Sequence, residues 1–478
     1  MSSQPNLYAL SAEQMSQGFA RKDLSPVEVA VSCFERIAAW EPSINAMYLV
    51  QREAALKAAQ ASEARWTSGQ PLGALDGVPI TIKENIYTKG DPAPIGTLAM
   101  DLTPKTADAP ASARAREAGM VILGKTTMPD FGMLSSGMSS FHGITRNPWR
   151  LDRNTSGSSS GAAAASVAGY GPLHIGTDIG GSVRLPATHG GIFALKPSFG
   201  RIPVSPPFMG RVAGPMTRTV KDSAYLMEVL SRPDVRDFMS LPYQPETYAA
   251  KLDQFSVKGK RIGLMLDMAS TGTIGFATDP QIIAAVQAAA QALEAAGAIV
   301  VPAKGFMTPE MMENMGRFFE ARSGNDLAAM DAATRAKVLP FILEWATWRA
   351  PHFKGADVMA AYNQVIAMRE AAVQAVAQFD FVLSPASPVL PFEAEIAGPG
   401  NDPRNAFPHI HYTVAYNMSE HPASSTNWTY AGPGGHAGLP IGVQIVGQRY
   451  DDLGVLQMSR VLEQLRPAQR AWPEPSSA

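Results

Sequence analysis

The chain holds a single cysteine, Cys33, among 478 residues, so it can form no internal disulfide and no cysteine-based zinc site. Cys33 lies between Val29 and Ile37 at four-residue spacing and reads as a small apolar residue on the buried face of a helix. Charge is scarce too. Asp, Glu, Lys and Arg make up 17% of the chain, the net charge is -2, and no basic run occurs, which excludes the electrostatic footprint of a nucleic-acid binder. No apolar run approaches the roughly 18 residues of a membrane span. The N-terminal MSSQPNLYAL lacks the basic start and apolar stretch of a secretory signal. A cytoplasmic protein without membrane or nucleic-acid partners is expected. H-E-x-x-H, Cys/His clusters and dinucleotide fingerprints are missing as well, so neither a metal nor an organic cofactor is expected.

What is present is 46% hydrophobic residues, enough for a large core. Ser25-Pro26-Val27-Glu28 combines an N-cap serine, a proline at the first helical position and a glutamate at the third, and predicts a helix to about Trp40. A second helix is expected from Arg52 to Trp66. Val78, Ile80 and Ile82 alternate within GVPITI (77–82), a strand ending at Lys83. A helix over 112–119, a strand over 121–123, a helix after Gly161, a strand over 172–178 and a helix over 219–230 follow. This alternation predicts an α/β fold. Residues 306–379 are rich in Met and aromatics (Met311, Phe318, Trp345) and predict helices packed on the body, some of them bordering an apolar pocket. Strands over 379–389 and 441–447 flank a long Gly/Pro-rich stretch. With no repeat and no clean linker, a single domain over 1–478 is expected.

The stretch TSGSSSGAAAASVAG (155–169) admits three readings. It could be a flexible Ser/Gly linker, a nucleophile elbow through Gly157-Ser158-Ser159-Ser160-Gly161, or part of another kind of catalytic centre. An elbow with Ser159 as nucleophile needs a buried strand directly before it, and RNPWRLDRNTS (146–156) is too polar to be one. It also needs a downstream histidine, and His189, His352, His409, His411, His421 and His436 stand in no distinctive setting. A second stretch, HIGTDIGGSVRLPA (174–187), puts Gly180 and Gly181 before Ser182. Paired glycines let successive N–H groups converge on one point, a nest for a developing oxyanion. A serine at its end is placed to attack the carbonyl. Lys83, closing a buried strand, would either reach out to solvent or stay buried and neutral, the state in which a lysine serves as a base.

Taken together, GVPITIKENI (77–86), SGSSSGAAAASVAG (156–169), GTDIGGSVRLPA (176–187), ALKPSFGRIPVS (194–205) and GPMTRTVKDSA (214–224) resemble the amidase signature family. GKTTMPDFGM (124–133), TRNPW (145–149) and GLPIGVQIVG (438–447) extend the match, which is dense over residues 70–230 and sparse elsewhere. The resemblance implies an α/β/α sandwich with a large central mixed β-sheet covered by helices. It also implies an amide hydrolase working through an acyl-enzyme. Carried over by motif, Lys83 is the base, Ser158 the bridging serine after a cis Gly157–Ser158 bond, and Ser182 the nucleophile. The N–H groups of Ile179, Gly180, Gly181 and Ser182 would form the oxyanion hole. Ser159 and Thr177 would support the relay, Asp178 and Arg184 would hold the loop as a buried pair, and Gly132, Met133, Leu134 and Ser135 would line the acyl pocket.

Four features depart from the family pattern. Ser156 and Ser160 stand where glycines are usual, Glu84 stands where many members have aspartate, and residues 417–440 are unusually polar and aromatic. The Met/aromatic region points to aryl or hydrophobic amides as substrate, hence to an aryl acylamidase. A carbamate hydrolase with the same residues is one alternative. The glutamine-amidase subunit of a tRNA-dependent amidotransferase is another, against which TDIGGS, in place of the SDTGGS typical of such subunits, favours a stand-alone monomer or homodimer.

Overall fold

In the computed structural model, which describes residues 6–475, eleven strands form one mixed sheet flanked by helices. Met1–Pro5, where the N-terminal reading begins, lie outside the described residues. The strands are Met47–Val50 (β1), Pro79–Lys83 (β2), Val121–Thr126 (β3), Leu173–Asp178 (β4), Phe193–Lys196 (β5), Val212–Thr217 (β6), Arg261–Leu264 (β7), Ile299–Pro302 (β8), Phe381–Pro385 (β9), Ala423–Tyr430 (β10) and Pro440–Gly447 (β11). Their order across the sheet is β1-β3-β2-β4-β6-β5-β10-β11-β9-β7-β8. β3, β2 and β4 are mutually parallel, as are β9, β7 and β8. The strands between these two groups pair antiparallel.

The alternating Val78, Ile80 and Ile82 are fully buried, but so are the intervening Thr81 and Lys83. A parallel strand covered on both faces has no solvent side, and its alternation therefore sets two buried surfaces. The helix at Pro26–Ile44 starts with the expected capping box at Ser25 and runs past Trp40, through Pro42, to a left-handed Asn45. Cys33 is buried in the main hydrophobic cluster.

The Ser/Gly/Ala stretch is ordered. Ser159 precedes a helix over Ser160–Ala168 whose residues are all buried, and the small side chains let it sit directly against its neighbours. One expectation needs correction. Residues Arg150–Asn154, read as too polar for a strand, do form one, but it pairs only with Arg146–Asn147 in a partly exposed hairpin outside the main sheet. It is not the buried strand an elbow requires.

The 306–379 region contains helices at Pro309–Ala328, Pro340–Thr347 and Gly355–Val376. Met315, Phe319, Trp345 and Met368 from these helices join Met265, Met268 and Tyr416 in a second hydrophobic cluster. The motif and periodicity reading missed the helix Pro280–Ala295 and the strands β1, β5, β6, β7, β8 and β10. Among the described residues no helix is long and apolar enough to cross a membrane.

Candidate active site

β2 and β4 are parallel neighbours with Ile82 opposite Ile175, so their carboxyl ends carry Lys83 and Thr177-Asp178 to the same edge of the sheet. That edge is where parallel sheets build ligand sites. Lys83 is fully buried there. Its Nζ lies 2.8 Å from Ser158 Oγ, 3.0 Å from Ser159 Oγ and 3.0 Å from Thr177 Oγ1. Ser159 donates its hydroxyl proton to the Thr177 carbonyl at 3.2 Å and therefore accepts from the lysine. Thr177 Oγ1 also accepts from Asn85 Nδ2 at 3.1 Å. A neutral amine satisfies this ring by donating to Ser159 and Thr177 and turning its lone pair to the Ser158 hydroxyl.

Burial pushes the Lys83 pKa down to about 7, with Arg211 assisting and the carboxylates of Asp178 and Glu84 opposing. Glu84 itself is buried and shares His142 Nε2, 3.0 Å from each of its oxygens. The peptide bond Gly157–Ser158 is cis. Gly157 has no room for a side chain, since a Cβ there would lie 2.5 Å from the Leu134 carbonyl oxygen.

Ser182 follows β4 in the Gly-Gly turn, and its carbonyl accepts from Ser159 N–H at 3.1 Å, tying the two serine stretches together. Its side chain faces a small cavity of about 30 Å³ that Gly132, Met133, Leu134 and Ser135 also line. The expected pocket segment and the expected nucleophile thus meet. Phe319, Phe407 and Ile410 form the far wall. A larger cavity of about 260 Å³ opens beside it and shares Met133. Asn85 and Thr177, both in the lysine's hydrogen-bond network, form its inner end, and Ile86, Tyr87, Phe131 and Ile342 its apolar wall.

Among the described residues the N–H groups of Ile179, Gly180 and Ser182 donate to no protein acceptor. For Gly181 the oxyanion-hole expectation is corrected. Its N–H donates to Asp178 Oδ1 at 2.7 Å and braces the loop instead. Gly181 has φ +128°, and a Cβ would meet Thr413 Oγ1 at 2.5 Å, so only glycine fits.

Asp178 and Arg184 are fully buried and ion-paired at 3.1 Å. Burial alone would raise the Asp178 pKa, but the Arg184 charge, with hydrogen bonds from Arg184, Val183 N–H and Asn417, holds it well below the usual carboxylate range. Arg184 continues to the Thr413 carbonyl at 3.1 Å, Gln444 Oε1 at 2.9 Å and Asn417 Oδ1 at 2.6 Å. Thr413 in turn donates to the Gly180 carbonyl at 2.6 Å. The unusual 410–417 segment therefore fastens the turn from outside.

A lysine with a free lone pair, two hydroxyls beside it and unused N–H groups at a neighbouring serine can perform acyl transfer. The comparison with known proteins agrees, with residues 28–456 matching the family model described as Amidase. The chain belongs to the amidase signature family. A glutamyl-tRNA(Gln) amidotransferase subunit of Symbiobacterium thermophilum is 32% identical over 498 residues, which cover 97% of this chain and 98% of that protein. A bacterial aryl acylamidase of the amidase signature enzymes superposes with a TM-score of 0.87 at 28% identity over 97% of each chain. The 6-aminohexanoate cyclic dimer hydrolase gives 0.85 at 25% identity, over 98% of this chain and 99% of that one. The protein is thus an amide hydrolase, built on the mixed sheet those enzymes share.

Two details of this amidase were not visible in its motifs. Ser156, standing in for a glycine, adopts φ +60°, the left-handed backbone that glycine would take freely, and its N–H is held by Asn154 Oδ1 at 2.6 Å. Asn85, Asn417, Gln444, Phe319 and Phe407 are all drawn to the site, although no motif reading points to them. Only Asn85, two positions after Lys83 in a strongly matched motif, carried a local signal.

Proposed function

We propose that this amidase hydrolyses amides joining a small acyl group to a large, mainly apolar amine, foremost N-acyl anilides, through Lys83, Ser158 and Ser182. Lys83 takes the Ser182 proton by way of the Ser158 hydroxyl, which both accepts and donates. Ser182 attacks the carbonyl, and its oxygen meets the N–H groups of Ile179, Gly180 and Ser182. Ser158 then delivers a proton to the departing nitrogen, and water releases the acyl group by the reverse path. The observation that carries this reading is the buried Lys83 amine 2.8 Å from Ser158 Oγ, with a separate cavity on each side of it.

The cavity sizes support the substrate assignment. The Ser182 side, at about 30 Å³, offers room for an acetyl-sized group. The larger cavity touches Thr177 and Asn85, on the side from which the leaving nitrogen receives its proton, and suits an aromatic amine. A methyl carbamate of such an amine fits the same division. The similarity to amidotransferase subunits favours a second reading, release of ammonia from glutamine within an assembly.

Fluorophosphonate labelling of the purified chain with peptide mapping, followed by an amide panel, tests these assignments. The expected result is label on Ser182, none on Ser159, and faster turnover of acetanilides and aryl carbamates than of glutamine or short aliphatic amides. Label on Ser159 refutes the relay, and glutamine as the best substrate establishes the second reading.

Phe407 stands between the small cavity and an outer one of about 170 Å³, its ring 6.1 Å from Phe319 and 5.1 Å from Trp345. Phe407→Ala joins the two spaces. It should shift the preference between hexanoyl- and acetylanilide by about tenfold toward the longer acyl chain, since each accommodated methylene is worth about 1 kcal/mol or more. An unchanged chain-length profile would place the acyl group elsewhere.

A further inference from the structure

The larger cavity is apolar along most of its wall and carries two guanidinium groups, Arg211 just ahead of β6 and Arg322 on the helix Pro309–Ala328. Both lean on the ring of Phe208, with the Arg322 Cζ at 4.2 Å and the Arg211 Cζ at 5.5 Å from its centroid. Arg211 donates to the Pro206 carbonyl at 3.1 Å. Among the described residues Arg322 has no hydrogen-bond acceptor, and neither arginine is in an ion pair. Asp326, one helical turn from Arg322, also lines the cavity but is exposed and bridges to neither arginine.

This is not how the chain treats its other sheltered arginines. Arg184 is paired with Asp178, Arg201 with Asp452, Arg65 with Asp76, and Arg349 with Glu313 and Glu320. A half-buried guanidinium has five donors, and leaving them unused in an apolar cavity is costly unless a ligand takes them. Two of them side by side add mutual repulsion. Burial, and then the Arg322 charge, lowers the Arg211 pKa to about 10. The planar fork of arginine matches a carboxylate in two-point contact.

We infer that the amine half of the substrate carries a carboxylate, received by Arg322 and Arg211, so that the preferred class is N-acylated aromatic amino acids of the acetamidobenzoate type. This rests on the proposed reading that the larger cavity takes the leaving amine. Hydrolysis adds one water across the C–N bond and yields acetate and an aminobenzoate. Apolar walls hold the ring, and the two arginines select for the acid at its far side.

The test compares kcat/KM for 3- and 4-acetamidobenzoate with the shape-matched neutral acetamidobenzamides. At least one acid is expected to exceed its amide by about tenfold or more, the scale of a hydrogen bond to a charged group. The ratio should fall to near one in Arg322→Gln, and Arg322→Glu should reverse it in favour of the corresponding acetamidobenzylamine. Equal rates for acid and amide in the wild-type enzyme overturn the inference while leaving the hydrolase reading intact, as does a ratio that survives both Arg322→Gln and Arg211→Gln. Should no anilide be cleaved, that reading fails, and calorimetry with 4-aminobenzoate and 4-aminobenzamide decides the anion site by itself. Binding of the acid alone, lost in Arg322→Gln, upholds it, and equal or absent binding overturns it.

Discussion

Lys83→Ala is expected to lower kcat/KM for an anilide by about 10⁴-fold, at the upper end of what a positioned general base contributes. The lysine amine is the group left to take the proton Ser158 passes on. Ser159 and Thr177 have their hydroxyls engaged, Ser159 with the Thr177 carbonyl and Thr177 with Asn85. Lys83→Arg should be equally inactive, because a guanidinium stays protonated and offers no lone pair. A purely structural role for the positive charge would instead be partly rescued by arginine.

The pH profile gives an independent readout. The working form is the neutral amine, and burial places its pKa at about 7. kcat/KM should therefore rise with unit slope on the acid side and level off above about pH 7. A profile that falls through the same range would make the ammonium the active form. Because the three residues act in one sequence of proton transfers, Lys83→Ala combined with Ser182→Ala should be no worse than Ser182→Ala alone. Activity in Lys83→Ala above about a tenth of wild type would end the assignment.

Arg184→Met carries the second large effect, on stability as well as rate. It leaves Asp178 charged and fully buried with its main partner gone. It also strips a donor from the Thr413 carbonyl, Gln444 and Asn417. Breaking a buried pair in this way costs about 3–5 kcal/mol, read as a fall in the urea unfolding midpoint. The folded fraction should lose activity too, since Asp178 holds the Gly181 and Val183 N–H groups at 2.7 and 3.1 Å and so sets the path of the chain through Ser182. Asp178→Asn/Arg184→Met should be destabilised by less than the sum of its two single changes, because the residues are in contact. A loss below about 1 kcal/mol for Arg184→Met would mean that other contacts carry the turn.

The parts of this site that could be read along the chain are those built from adjacent residues. The capping box at Ser25, the alternation ending at Lys83, and the Gly-Gly-Ser turn after a strand each express their structure locally. The ordered series of short motifs is enough to group Lys83, Ser158 and Ser182. β10 shows the limit. Its sequence, ASSTNWTY, is polar on both faces, yet the strand lies buried between β5 and β11. Its side chains find partners on distant elements, Ser424 with Ser459 and Asn427 with Gln469. Hydrophobic periodicity cannot report a strand whose buried groups are satisfied by hydrogen bonds.

Residue type and order thus established the chemistry, a lysine and two serines set for amide hydrolysis, because turn, strand and helix preferences act over a few positions. Folding established which surfaces receive the substrate. Asn417 and Gln444 reach Arg184 from 233 and 260 positions away, and Arg211 and Arg322 meet over one Phe ring from a strand edge and a separate helix. Long-range contacts of this kind follow from how the sheet closes and how the helices pack on it, which no short stretch of sequence encodes.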